Sequence, residues 1–214
     1  MNYLAERRQE EKESRRLEIL DATEAVAGEV GIDAMTMDQV ARKARLSRAL
    51  LYVYFQDKTD LLFGLCNRAL DILQQRFIEA VGQHTLGIDQ VEACGRAYLG
   101  FAQEFPVYAE SLAAFEAHSV AKLAAEGNVG ACVLAGDRVH AVLIEAITRG
   151  IADGSVRADV GPPPLVSFTL WGFLHGVLQL ARNKSAILAH GGTSTQQLLD
   201  QALLQGRRSL ASRP

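Results

Sequence analysis

At 214 residues and 49% hydrophobic content the chain can bury a sizeable core as one large domain or two small ones. Its formal net charge of −3 excludes a protein that holds nucleic acid by overall basicity, so a polyanion site has to be local. Cys66, Cys94 and Cys132 lie far apart with no CxxC pair, which excludes a disulfide framework or zinc site and points to free, buried thiols in a reducing cytoplasm.

Residues 1–14 are charged, either a frayed arm or the solvated start of the first helix, and they lack the apolar run of a signal peptide. Arg7, Arg8, Arg15 and Arg16 either reach phosphates or belong to a solvated charge run. From Arg15 a helical period sets in through Ile19, Leu20, Thr23, Val26, Ala27 and Val30, and Gly31 stands where a left-handed terminator is wanted. Thr36 and Gln39 form a capping box for a second helix, whose Val40, Ala41 and Ala44 face inward. After a turn filled by Leu46, Ser47 caps a third helix, Ser47 to Phe55, with Leu51 and Phe55 on its apolar side. Asp57 caps a fourth, from Lys58 to near Val81.

A loop over 82–89 precedes a fifth helix with Val91, Cys94, Tyr98, Phe101 and Phe105 in one stripe, and Pro106 interrupts it. A sixth carries Tyr108, Leu112 and Phe115, and residues 124–131 read as a loop-like link. A seventh helix runs from about Cys132 or Gly136 to Asp153, where Gly154 stops it; Pro162 to Pro164 open an eighth that continues to Arg182. Leu165 to Ala181 is the most apolar stretch, but it is short and holds Ser167, Thr169, His175 and Gln179, so a buried helix is expected there and no membrane span. Residues 189–194 are a polar turn, and a ninth helix spans about Thr195 to Arg208.

Ile19 to Leu62 resembles the N-terminal domain of the tetracycline-repressor (TetR) family. The residues that carry the likeness are Ile19 to Ala22, Gly31, Thr36, Val40-Ala41, Ala44, Leu46-Ser47, Leu51-Tyr52, Tyr54-Phe55, Lys58 and Leu61-Leu62, matched without a gap. The resemblance implies an all-α protein of about nine helices. A charged arm (1–14) would lead into a helix-turn-helix DNA-binding domain (15–62), a larger effector-binding and dimerisation domain (63–210) and a tail (211–214). It implies a cytoplasmic homodimer, joined through the C-terminal helices, that binds a pseudo-palindromic double-stranded operator under control of a small effector. The chain departs from the family pattern at Arg45, usually glycine; at Ala49, usually glycine; at Leu50, usually Thr or Ser; at Val53, which breaks an aromatic run; and at Ala27, where a Phe often fills the core.

The chemistry of such an interface divides into phosphate contacts that set register and base contacts that set sequence. Thr36, at a helix N-terminus, suits a phosphate; Tyr52 and Tyr54 can donate hydroxyls; Lys58 matches the family's backbone-binding lysine. Arg48 is the base reader, its guanidinium matched to O6 and N7 of guanine, with small contacts from Ser47 and Ala49. Arg45 and Arg42 extend the phosphate grip. Ser47 can equally be only a cap, Tyr52 mostly core, and Arg42 and Lys43 solvated surface.

For an effector, the aromatic stripe Tyr98, Phe101, Phe105, Tyr108 and Phe115, with Trp171 and Phe173, offers an apolar cavity, and Tyr98, Tyr108, His118, His140 and His175 supply polar handles. An ordinary aromatic core reads the same way. The ligand expected is small and largely apolar or aromatic. The five histidines show no metal-ligand spacing and no catalytic or nucleotide fingerprint occurs, so no enzyme, cofactor or metal is expected. Two other readings remain open: a redox sensor using the cysteines, and a helical interaction protein with weakened or lost DNA binding, kept open by Arg45 and Leu50.

Overall fold

The computed structural model of the chain describes residues 3–116 and 127–212. Among them are ten helices: α1 (Tyr3–Val30), α2 (Met37–Lys43), α3 (Arg48–Tyr54), α4 (Lys58–Val81), α5 (Gly87–Glu104), α6 (Pro106–Glu116), α7 (Gly127–Ala152), α8 (Pro163–Asn183), α9 (Ser185–His190) and α10 (Thr195–Leu210). The described residues also hold an isolated antiparallel bridge between Val156 and Ala211. The helices gather into two compact units, Met1–Leu70 with Phe105–Leu134, and Asp71–Glu104 with Ala135–Pro214.

In the first unit, α1 extends back to Tyr3, so the charged arm is helical and solvated, held by i,i+4 and i,i+3 pairs such as Arg7–Glu11 and Arg15–Glu18. Gly31 ends α1 at φ +82. Thr36 and Gln39 form the reciprocal capping box of α2, and Ser47 accepts from the Leu50 amide at the start of α3. At the start of α4, Asp57 and Asp60 cap reciprocally: the Asp60 amide donates to Asp57 Oδ1 at 2.8 Å and the Gln56 amide to Asp60 Oδ2 at 3.0 Å. The core of the unit is fully buried Ile19, Val40, Leu51, Phe55, Leu61 and Leu65.

Arg45 adopts φ +57, the left-handed conformation that the turn between α2 and α3 requires. The turn therefore keeps its shape and bears the steric cost, on the order of 1–2 kcal/mol, of a Cβ in that region. Part of that cost is offset because glycine would lose more entropy on folding. Arg45→Gly is expected to raise stability by about 0.5 kcal/mol, read as a higher denaturant midpoint at unchanged slope.

The second unit is built on a close crossing of α5 and α7. A Cβ added at Gly87 would collide with the backbone of Gly150 and the carbonyl of Ala146, and one at Gly150 would strike Val156. The first amides of α5 are met from the turn after α7: Gly87 N–H donates to Asp153 Oδ2 at 2.8 Å and Ile88 N–H to Ser155 Oγ at 3.1 Å. Hydrogen bonds from Ser155 and the Gly87 amide hold the Asp153 carboxyl below its ordinary value. α10 packs on α8 and α5, and Arg207 ties it to Asp89 at 2.7 Å and Glu92 at 2.8 Å.

Three expectations need correction. α7 begins at Gly127, several residues before Cys132, and the Asn128 side chain anchors its first turn: its amide donates to Asp60 O and Oδ1 and its Oδ1 accepts from Arg16. α9 is an additional helix that buries none of its residues, so it leaves no apolar period to read. α8 is not enclosed by its own chain. It buries only Val166, Ser167, Leu178 and Ala181, while Leu165 (64% exposed), Phe168, Trp171, Phe173 and Leu180 face outward. A Cβ at Gly172 or Gly176 would meet nothing within 4 Å, so neither glycine is required by a helix contact among the described residues.

Candidate nucleic-acid interface

The caps of α2 and α3 fix which side of each short helix is free. Leu51 is fully buried on the inner side of α3, and Phe55, just beyond its end, is buried with it; Arg48, Ala49, Leu50, Tyr52 and Val53 are exposed on the outer side. Thr36 and Ser47 are also exposed, and their hydroxyls serve the caps. Tyr52 is 40% exposed and hence no core residue, whereas Tyr54 is half-buried.

Arg42, Lys43, Arg48 and Lys58 of this face are held by neighbours in the same unit. Arg48 Nε lies 3.2 Å from Asp38 Oδ1, its Nη2 donates to the Tyr52 hydroxyl at 3.4 Å, and its guanidinium carbon stands 5.6 Å from the Tyr52 ring centre. The Tyr52 hydrogen bond and the charge of Asp38 hold the Arg48 proton more firmly than usual. Lys58 Nζ donates to the Asp33 carbonyl at 2.6 Å, which places the ammonium at the start of α4 beside the loop that precedes α2. Lys43 pairs with Glu29 at 2.6 Å, and Arg42 Nε donates to the Asp38 carbonyl at 3.3 Å.

Two positioning residues escape the sequence. Arg16 donates to the Tyr54 carbonyl at 3.0 Å, where α3 ends, and to Asn128 Oδ1 at 2.9 Å, and its guanidinium covers the Phe55 ring at 4.6 Å. Arg68 of α4 donates to Asp21 Oδ1 at 2.6 Å and Leu17 O at 3.2 Å on α1, and to the Tyr108 hydroxyl of α6 at 3.5 Å. Burial opposes the Arg68 charge, but its bonds to Tyr108 and Asp21 outweigh that and raise its affinity for the proton. In sequence both arginines are indistinguishable from solvated surface charges.

The residues expected around an effector divide between the two units. Phe105, Tyr108 and Phe115 belong to the first, where Phe115 packs edge-on against Phe63 and the Tyr108 hydroxyl donates to Glu24 at 2.5 Å. His118 lies outside the described residues. In the second unit, Phe101 is fully buried, and the Tyr98 hydroxyl shares a 2.7 Å hydrogen bond with His175 Nδ1. His140 Nδ1 shares one of 2.8 Å with the buried Ser167 hydroxyl, and its ring lies 4.3 Å from Phe168 and 5.5 Å from Trp171. Burial pulls the His140 imidazole below its usual value, so it is neutral near pH 7. Elsewhere in the unit an open cleft of about 960 Å³ is lined by charged residues, among them Arg76, Glu92, Arg96 and Arg207. Its arginines are paired with carboxylates: Arg76 with Glu104, Arg96 with Glu92, and Arg207 with Asp89 and Glu92. Sequence spacing gives no sign of it, because its lining comes from the polar faces of three separate helices.

Cys66, Cys94 and Cys132 are all buried, and burial pushes the Cys94 thiol up to about 12. A thiol so placed holds almost no thiolate at neutral pH, which argues against Cys94 as a redox sensor.

Residues 19–65 match the family of bacterial regulatory proteins described as the tetR family. The HTH-type transcriptional regulator HbdR of Aromatoleum sp. (strain CIB) is 40% identical over 63 residues, 29% of this chain and 28% of that one. The chain thus matches under a third of that curated relative's length, all of the likeness lying in one short region. Over the whole fold, a protein of unknown function from Rhodococcus sp. RHA1 superposes with a TM-score of 0.72 at 21% identity, covering 92% of this chain and 95% of that one. AibR, solved in complex with isovaleryl coenzyme A and operator DNA, superposes with a TM-score of 0.63 at 18% identity, covering 89% and 97%.

Proposed function

We propose that the chain, whose residues 19–65 match the tetR family of bacterial regulatory proteins, is a cytoplasmic, DNA-binding transcriptional regulator, a repressor whose operator affinity is set by a small, largely apolar effector. The observation that carries the reading is the fully capped helix-turn-helix whose recognition helix, α3, turns Arg48, Ala49 and Tyr52 outward within the stretch matched by the family. In this reading Thr36, Arg45, Tyr52, Tyr54 and Lys58 hold phosphates, and Arg48, with Ser47 and Ala49, reads base edges. The left-handed Arg45 supports it, because the glycine departure leaves the turn geometry in place.

The protein acts as a homodimer joined through α8 and α10. Support comes from the apolar side of α8, which its own chain leaves uncovered, and from exposed Leu204 on α10. A two-fold dimer presents two copies of α3 to a pseudo-palindromic site. The effector is received in the helical body, where Tyr98, His140, Trp171 and His175 combine aromatic surface with few polar groups.

The test is fluorescence anisotropy with duplexes from the DNA upstream of the protein's own coding sequence and a matrix of single-base variants. Lys58→Ala should weaken all duplexes alike and reduce the salt slope by about 1, whereas Arg48→Ala should cost about 1–3 kcal/mol at one base pair and relax discrimination there. Equal losses at every position for both variants would remove the division of roles, and no binding at low salt would remove the DNA-binding reading.

A further inference from the structure

We infer that Asp38 is a specificity-determining positioning residue of the DNA interface, acting by pinning Arg48 in a single orientation. The inference rests on α3 being the base-reading helix. Asp38 stands in the first turn of α2 and Arg48 is the first residue of α3, so their ion pair spans the turn that Arg45 makes.

An acid on a surface that faces phosphates opposes binding, and nothing else on α2 engages its carboxylate: Arg42 bonds the Asp38 carbonyl, and Gln39 is occupied by the Thr36 cap. The pair is exposed at both ends, 64% and 56%, so it contributes little to stability. Its effect lies in what it leaves of the guanidinium. Arginine has five N–H donors in a fixed planar fork. The Asp38 carboxylate stands 3.2 Å from Nε as an ion-pair partner, and Tyr52 takes one donor of Nη2. The Nη1 end of the fork carries neither partner and can meet guanine O6 and N7 together. A side-on approach through Nε, which would serve a different placement of the base, is opposed by the Asp38 carboxylate beside it, which repels the acceptor atoms of a base. Arg48 is thereby preorganised for one base pair and restrained from wandering to the nearest phosphate.

Asp38→Asn removes the ion pair with Arg48 and one acid from the interface. Binding to non-specific duplex should tighten by about threefold with a steeper salt slope, because Arg48 is released to neutralise phosphate. Discrimination at the base pair read by Arg48 should fall by about tenfold. In an Arg48→Ala background the Asp38→Asn change should leave discrimination at that base pair unaltered, since Asp38 acts through Arg48. Asp38→Glu keeps the charge and should restore part of the discrimination; it also carries the test if Asp38→Asn shifts the unfolding midpoint. Unchanged discrimination in Asp38→Asn, with Lys58→Ala still weakening every duplex, would overturn the inference while leaving the DNA-binding reading intact. An effect of Asp38→Asn that persists without Arg48 would overturn it in favour of direct base contact. Failure of the unsubstituted chain to bind any duplex at low salt would overturn both.

Discussion

Phe55→Ala is expected to cost about 3–5 kcal/mol of stability and, with it, the shape of the helix-turn-helix. Phe55 is 0% exposed and closes α3, its amide donating to the Leu51 carbonyl. The Arg16 guanidinium lies over its ring at 4.6 Å, and a Cβ at Gly64 of α4 would approach ring carbon Cε1 to 3.0 Å, so the ring is clamped between α1 and α4 with no slack. Truncation removes the transfer energy of an aromatic side chain and leaves a cavity that those helices cannot close without moving. A domain's whole stability is on the order of 5–15 kcal/mol, so the loss is a large fraction of it. Denaturant unfolding checks the stability change, and DNA binding should fall in parallel because α3 loses its anchor. A loss below about 1 kcal/mol would mean that the ring is not the packing centre of this unit.

Gly87→Ala should cost about 3 kcal/mol, at the upper end for overpacking, by forcing apart α5 and α7. The added Cβ would meet Gly150 N and Cα and come within 2.7 Å of the Ala146 carbonyl, all backbone atoms that no rotamer change can move aside. Separation of the helices would also stretch the bond from Gly87 N–H to Asp153, which caps the start of α5. Gly100→Ala, on the same helix with nothing within 4 Å of the added Cβ, is the control and should stabilise by up to about 1 kcal/mol through helix propensity. Thermal unfolding of the three proteins side by side reads both signs; a neutral Gly87→Ala would show that the crossing has room to spare.

The first unit is far more legible in sequence than the second, for a physical reason. Caps, turn residues and periodic apolar positions act over three or four residues, so Thr36 with Gln39, Ser47, Asp57 and Gly31 announce their roles locally. The left-handed Arg45 is legible only through its place in the family pattern. Contacts across many residues leave no such trace: Asp38 with Arg48, Arg16 with the end of α3, and Gly87 against Gly150 join segments whose proximity only the fold creates. The same limit explains the aromatic stripe. Period alone places Tyr98, Phe101, Phe105, Tyr108 and Phe115 in one series, yet Pro106 separates α5 from α6 and the two helices belong to different units. α8 misleads in the opposite direction, since an all-round apolar helix implies burial without saying by which chain.

Anisotropy titration of the unsubstituted chain against duplex from its own upstream region, at 50 mM and 200 mM salt with stoichiometry read at saturation, bears most directly on the proposed regulator. A dimer gripping phosphates through two copies of the α3 face should bind one duplex per two chains, tightly at low salt, and lose on the order of a hundredfold or more in affinity between the two conditions. Absence of binding at 50 mM salt, or an affinity indifferent to salt, would contradict it.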